Sequence, residues 1–299
     1  MMTVLTERLG SFIREHDNKQ LVSIPAAVFA LSLLILAIVF STSGAPVKLG
    51  MEFNGGTMIA MQSQDPVEVI EQTYSNYPLV DVRKAGERAI MQFGPMDSDV
   101  QMQLETDVIS TYSSVEIKQV GAVYGKDLQL QALKAVVLSF IGMALVVFLI
   151  FKTAIPSFAV VASAFSDIII AAAFMNVVGV ELSLGTVAAL LMLIGYSVDS
   201  DILLTNRILK RRGTTDEKIN HAMHTGLTMT STTLAALVVM YIVSTYSYLL
   251  TSSVSQINLL SDISIVLIFG LMADLMNTWL LNTGILRWYV EKNPTVVKA

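Results

Sequence analysis

The chain has 299 residues, 54% of them hydrophobic and 14% charged, with a mean hydropathy of +0.63. About a quarter of an average soluble chain is charged, so this composition excludes an ordinary globular domain and points to a membrane protein. A net charge of −5 argues against nucleic acid as a partner, and the lack of cysteine excludes disulfides, thiolate metal sites and a cysteine nucleophile.

About 20 apolar residues cross the hydrocarbon layer as a helix. Six stretches qualify: 21–42, 132–151, 154–178, 184–206, 226–249 and 260–285. A short segment, 1–20, precedes the first. That first stretch ends in Ser43, Gly44 and Ala45, small residues of the kind that precede signal cleavage. Its apolar run is too long for a signal peptide and five more follow, so it is expected to stay as helix 1.

The region 43–128 alternates strand and helix signals. Strands are expected at 47–53 and 57–62, on either side of Gly55-Gly56, a pair that equally serves a bulge or tight turn. Asp65-Pro66-Val67-Glu68 offers an N-cap, a first-turn proline and a capping-box acid for a helix to about Tyr74. Paired strands at 79–83 and 88–93, a capped helix from Asp97 to about Ser110 and a strand at 115–120 complete the pattern. The order βαββαβ with an extra leading strand predicts an α+β ferredoxin-like domain. The whole is expected to be a membrane α-helical bundle of six transmembrane helices with this domain, extracytoplasmic, between helices 1 and 2. Helices 2–6 with short loops occupy 129–285, and 286–299 is the C-terminal segment.

Lys and Arg in short connections resist translocation and so set orientation. Arg8, Arg14 and Lys19 precede helix 1, Lys152 separates helices 2 and 3, Arg207, Lys210, Arg211, Arg212 and Lys218 follow helix 4, and Arg287, Lys292 and Lys298 end the chain. The opposite short loops, near 179–183 and 250–259, have none. Both termini are therefore expected in the cytoplasm, and the basic run at 210–212 also suits anionic lipid headgroups.

Carboxylates at membrane depth are costly and mark ion or proton routes. Asp167 falls near the middle of helix 3, Asp199 and Asp201 in helix 4 and Asp274 near the middle of helix 6, while these three spans hold no basic residue and Arg207 stands just at the end of helix 4. The acids outnumber their possible salt-bridge partners, which favours a proton on at least one of them. Helical spacing puts Ser197, Asp201 and Thr205 on one face and Asp199 with Gly195 and Asn206 on another. Gly270, Asp274, Asn277 and Thr278 form a polar stripe, and hydroxyls at Thr228, Thr230, Ser231, Thr232 and Thr233 either line a hydrated path or merely join helices. His221 and His224, in the loop before helix 5, have the spacing of metal ligands but no third partner in sequence. No phosphate loop, nucleophile elbow or metalloprotease helix is present, so neither an enzyme nor a bound cofactor or metal is expected.

Two motifs carry a family resemblance. Gly50-Met51-Glu52-Phe53-Asn54-Gly55-Gly56-Thr57 resembles the G-x-D-F-x-G-G-T signature of the SecF family of protein-export membrane subunits, with Glu52 in place of the usual Asp. Gly195-Tyr196-Ser197-Val198-Asp199-Ser200-Asp201, with Asn206-Arg207-Ile208, resembles that family's helix 4 motif in an archaeal-type variant, where Asp199 matches the acid of the related SecD motif. The resemblance implies an auxiliary subunit of the Sec machinery, of the resistance–nodulation–division group. It would act with SecD beside the Sec translocation channel on a translocating polypeptide, driven by the proton gradient. The proton-relay candidates are Asp199 and Asp201 as the central pair, with Asp199 the better single bet because it occupies the SecD-like position, then Arg207 as a partner or exit, and Asp274 and Asp167 second by their depth. A half-size proton-coupled exporter of small molecules is the rival reading, and a stabiliser of the channel without ion flux is a third.

Overall fold

The computed structural model describes residues 2–85, 87–250 and 258–293. The expected loop at 250–259 falls almost wholly outside these residues, as does Lys298. The chain opens with α1 (Met2–Glu15), a helix within what the sequence suggested was a plain N-terminal segment. Then comes the first long apolar helix, α2 (Asn18–Ser43). A helical turn, α3 (Met51–Asn54), leads into β1 (Gly56–Gln62), α4 (Val67–Thr73), β2 (Leu79–Ala85), β3 (Arg88–Phe93), α5 (Ser98–Thr111) and β4 (Ser113–Val120). Five more long apolar helices follow. They are α6 (Ala122–Phe151), α7 (Ala154–Val178), α8 (Leu184–Lys210), α9 (Thr215–Leu250) and a last one that starts as α10 (Asn258–Met276), widens into a π turn (Asn277–Asn282) and ends as α11 (Thr283–Lys292).

The four strands form one antiparallel sheet in the order β2-β3-β1-β4, the arrangement of a ferredoxin-like βαββαβ unit. Alternation puts Ile59 and Met61 of β1 with Ala89, Met91 and Phe93 of β3 on one face, buried against Ile70 of α4 and Leu104 and Val108 of α5.

Three expectations are corrected here. The leading strand at 47–53 does not form: Gly50 starts the α3 turn, and Leu49 bridges Leu182 instead of joining the sheet. Asp65 does not cap α4, whose N-cap is Pro66; its carboxylate instead accepts from Ser63 Oγ and from the Tyr112 hydroxyl. Helices α6 and α9 both start about ten residues early, so His221 and His224 sit exposed on a helix rather than in a loop.

In the bundle, α7 is central, packed against α2, α6, α8 and α10. Its buried face is small, with Ala159, Ser163, Ala164, Ser166, Ala171, Ala172 and Ala173, which lets neighbouring backbones approach where lipid supplies no hydrophobic drive. A second cluster of Ile13, Leu21, Ile208, Ile219, Met223, Trp279 and Leu286 ties α1 to the ends of α8, α9 and α11.

An isolated 47–122 fragment should unfold in one cooperative step, because the sheet closes its own core. Burial first, and then the hydrogen bond to Asp65, push the Tyr112 hydroxyl up to about 12. A raised folded value means that this contribution is complete below the unfolded value, about 10, and is lost as pH climbs through 12. Tyr112→Phe should therefore cost about 1 kcal/mol at neutral pH and shrink the alkaline loss, as measured by urea unfolding at pH 8 and pH 11.

Candidate functional site

Helices α7, α8 and α10 bring Asp167, Asp201 and Asp274 together, each 1% exposed or less. Each is there for a local reason. Asp167 lies on the small-residue face of α7, and Asp201 on the stripe Ser197–Asp201–Thr205 that α8 turns inward. Asp274 comes from the last helix, at a level where Gly270 of α10 lies so close to Leu193 of α8 that a Cβ would stand 2.4 Å from its Cδ2.

Two sets of hydrogen bonds hold the three, one on Asp167 and one shared by Asp201 and Asp274. Ser197 Oγ and Asn277 Nδ2 donate to the two oxygens of Asp167 at 2.5 and 2.6 Å. Thr278 Oγ1 lies 2.9 Å from Asp201 Oδ1, 3.1 Å from Asp274 Oδ1 and 3.1 Å from Ser200 Oγ. Asn282 Nδ2 adds a second bond to Asp201 Oδ1 at 2.8 Å, and Ser200 Oγ reaches Asp274 Oδ1 at 2.9 Å. Thr278 and Asn282 lie in the π turn, four residues apart and so on one face of the helix, where both address one oxygen, and Thr283 Oγ1 closes back onto Thr278 O at 3.1 Å.

Thr278 has one hydroxyl proton and two carboxyl neighbours. It can donate to one and accept from the other only if that other carries a proton, so the geometry suits a proton shared between Asp201 and Asp274 through Thr278. No cation offsets these acids: the salt bridges among the described residues, Arg83–Asp81 and Lys118–Glu116, both lie on the sheet. The surroundings are asymmetric along the bundle. Towards the 179–183 loop the site is closed by Leu190, Leu193, Ile194 and Leu271. Towards Lys152 and Arg207, buried polar atoms without partners among the described residues continue from Asp201 Oδ2 to Thr205 Oγ1, Asn282 Oδ1 and Ser157 Oγ.

The remaining sequence candidates lie elsewhere. Asp199 is exposed on the opposite face of α8, in a stripe with Met192, Gly195, Tyr196 and Asn206, so it and Asp201 do not form one site. Two residues along a helix is about 200° of rotation, which separates the pair. Arg207 donates to Thr225 Oγ1 of α9 at 3.4 Å and takes no part in the network. The Thr hydroxyls at 228, 232 and 233 bond to carbonyls of their own helix. Among the described residues no group of three or more His, Asp and Glu is placed to hold a metal. Sequence reasoning missed Asn282, although an Asn four residues after Thr278 at membrane depth was a readable signal. The other motif residues, Gly50, Glu52, Phe53, Gly55, Gly56 and Thr57, lie at the foot of the sheet, far along the chain from the acids.

Residues 100–292 match the family described as protein export membrane protein SecD/SecF, C-terminal. Proteins described as protein-export membrane protein SecF are similar over nearly the full length. That of Methanolacinia petrolearia is 48% identical over 287 residues, 95% of this chain and 99% of the relative. That of Haloferax volcanii is 43% identical, covering 92% and 93%, and that of Pyrococcus furiosus 41%, covering 97% and 96%. The fold resembles the crystal structure of SecDF, a translocon-associated membrane protein from Thermus thermophilus, with a TM-score of 0.69 at 19% identity. The match covers 91% of this chain and 38% of that one, so the chain spans a little over a third of that longer protein.

Thr278→Val keeps the shape of the side chain while leaving buried carboxyl groups without their shared partner, a loss of about 1–3 kcal/mol. The melting temperature in detergent should fall by several degrees. Thr232→Val, which removes a hydroxyl bonded only within its own helix, should leave it nearly unchanged.

Proposed function

The chain belongs to the SecF family of protein-export membrane proteins, and on that premise we propose that it acts with SecD to use the proton gradient for Sec-dependent export. It is a multi-pass membrane protein, with six helices among the described residues long and apolar enough to span the bilayer. The observation that carries the proposal is the group of three buried carboxyls, two of them bridged by Thr278, with no neutralising cation among the described residues. An ionised Asp at the centre of a spanning helix costs about 2.5–3.5 kcal/mol on insertion, so three together without a cation are retained for a use. A proton arriving at Asp274 or Asp201 exchanges through Thr278 by reversal of the hydrogen bonds, with no movement of heavy atoms. Loading and release change which bonds hold α8 to the last helix, which is how protonation biases the bundle between two packings. The partnerless polar atoms on the Arg207 side support hydration from that side, which the basic residues assign to the cytoplasm.

In this reading both termini are cytoplasmic, the sheet domain lies outside the cell membrane, and the translocating polypeptide is met there beside the Sec channel. SecD is the proposed cover for the exposed α8 stripe that carries Asp199. Tyr196 and Met192, 45% and 47% exposed, flank a carboxylate that lipid would not tolerate without a polar partner.

Vesicles holding the chain with SecD and the channel test this reading. Asp201→Asn and Asp274→Asn should insert normally yet lose the stimulation of export by an imposed proton gradient, falling to the rate seen without one. Asp199→Asn, outside the network, should keep it. Parental stimulation in the Asp201→Asn, Asp274→Asn double variant would show that the acids are structural. Topology is tested separately: a cysteine at Thr214 should resist an impermeant reagent added outside intact cells, and labelling there reverses the orientation.

A further inference from the structure

The signature at 50–57 has no place in the acid network, and its contacts show what it does. Leu184 is the first residue of α8, and its N–H is one of the donors that a helix start leaves without an internal partner. Glu52 Oε2 accepts it at 2.6 Å. Ser183 and Thr186 cap the same end reciprocally, at 2.7 and 3.2 Å. The chain just before Glu52 is stitched to the same loop, with Gly50 N to Leu182 O at 2.9 Å and Leu182 N to Lys48 O at 2.7 Å. Asn176, at the end of α7, holds it on the other side: its Nδ2 donates to Pro46 O at 2.9 Å and its Oδ1 accepts from Lys48 N at 3.2 Å.

The segment after Glu52 is as tightly held. Phe53 is fully buried, and its carbonyl accepts from Gln129 Nε2 of α6 at 2.8 Å. Gly125 of α6 lies so close that a Cβ there would stand 2.5 Å from Phe53 O. Gly56, at φ +138°, then turns the chain into β1 with its Cα against Phe93 O of β3, where a Cβ would come within 2.2 Å. Sheet, α6, α7 and α8 thus meet in the eleven residues 46–56, and α8 runs from that junction about 25 Å to Asp201.

We infer that residues 46–56 form a rigid strut, with Glu52 as its positioning residue, that carries displacement of α8 to the outer sheet. This deepens the proton reading above, since α8 supplies Ser197, Ser200 and Asp201 to the network. A carboxylate on the first N–H of α8 is a charge-assisted bond aligned with the helix dipole, strong enough to move with the helix rather than slip along it.

The test uses the chain with SecD in vesicles, reading proton flux and gradient-stimulated export together. Glu52→Ala should keep parental flux and lose the stimulation, while Glu52→Gln, which keeps an acceptor, should retain part of it. Adding Leu49→Cys and Leu182→Cys to Glu52→Ala places a disulfide across the bridge that joins these residues. Under a mild oxidant the stimulation should return, and reduction should remove it again. Parental stimulation in Glu52→Ala overturns the strut, and so does loss of flux alongside stimulation or failure of the disulfide to restore it. Hydrogen exchange at 182–186 reads the joint without protons: Glu52→Ala should speed it about tenfold and the disulfide should reverse that. Unchanged exchange refutes the strut whatever the acids do, whereas parental behaviour of Asp201→Asn refutes only the proton reading.

Discussion

Three carboxyl groups within an apolar bundle, without a cation, dictate much of the surrounding structure. Each must be met by hydrogen-bond donors from neighbouring helices, so Ser197 and Ser200 on α8 and Asn277, Thr278 and Asn282 on the last helix are committed to them. Those donors fix the rotation of each helix about its axis. The π turn coincides with this demand, since Asn277, Thr278 and Asn282 all belong to it. Close approach of α10 to α8 at Gly270 then shuts out lipid and water on the side towards the sheet.

The sheet unit obeys a different rule. The sheet domain excludes water by alternating residues from two strands against two short helices, and its polar surface carries the described salt bridges. The two regimes meet at the 179–183 loop. There Glu181 is buried enough to raise its carboxyl above the usual range, and the charge of Arg83 on β2 opposes that rise.

Much of this was legible in the sequence because the relevant signals are periodic. Apolar runs gave the six helices, with the 154–178 limits as found, and period-two alternation with turn residues gave the βαββαβ order. Helical spacing also separated the faces of Asp199 and Asp201. What sequence could not supply was tertiary. Three acids from three helices share one site only when the helices are rotated correctly, so Asp167 and Asp274 ranked below the pair adjacent in sequence. The π turn leaves no mark in composition. The segment 47–53 has strand-like residues, but its backbone bonds go to Leu182 rather than to the sheet, a choice made about 130 residues away in the chain.

That separation sets an order of events during synthesis. Every strand of the sheet lies within 56–120, whereas the seat for its foot includes Leu182. At about 5–20 residues per second, the 62 residues from 120 to 182 take about 3–12 s to make. A domain of this size closes in far less time. The sheet domain is therefore complete, and held to the membrane only through its flanking helices, for several seconds before its docking loop exists. Of the bonds that seat residues 46–56, the one from Leu184 of α8 to Glu52 is the last to become possible.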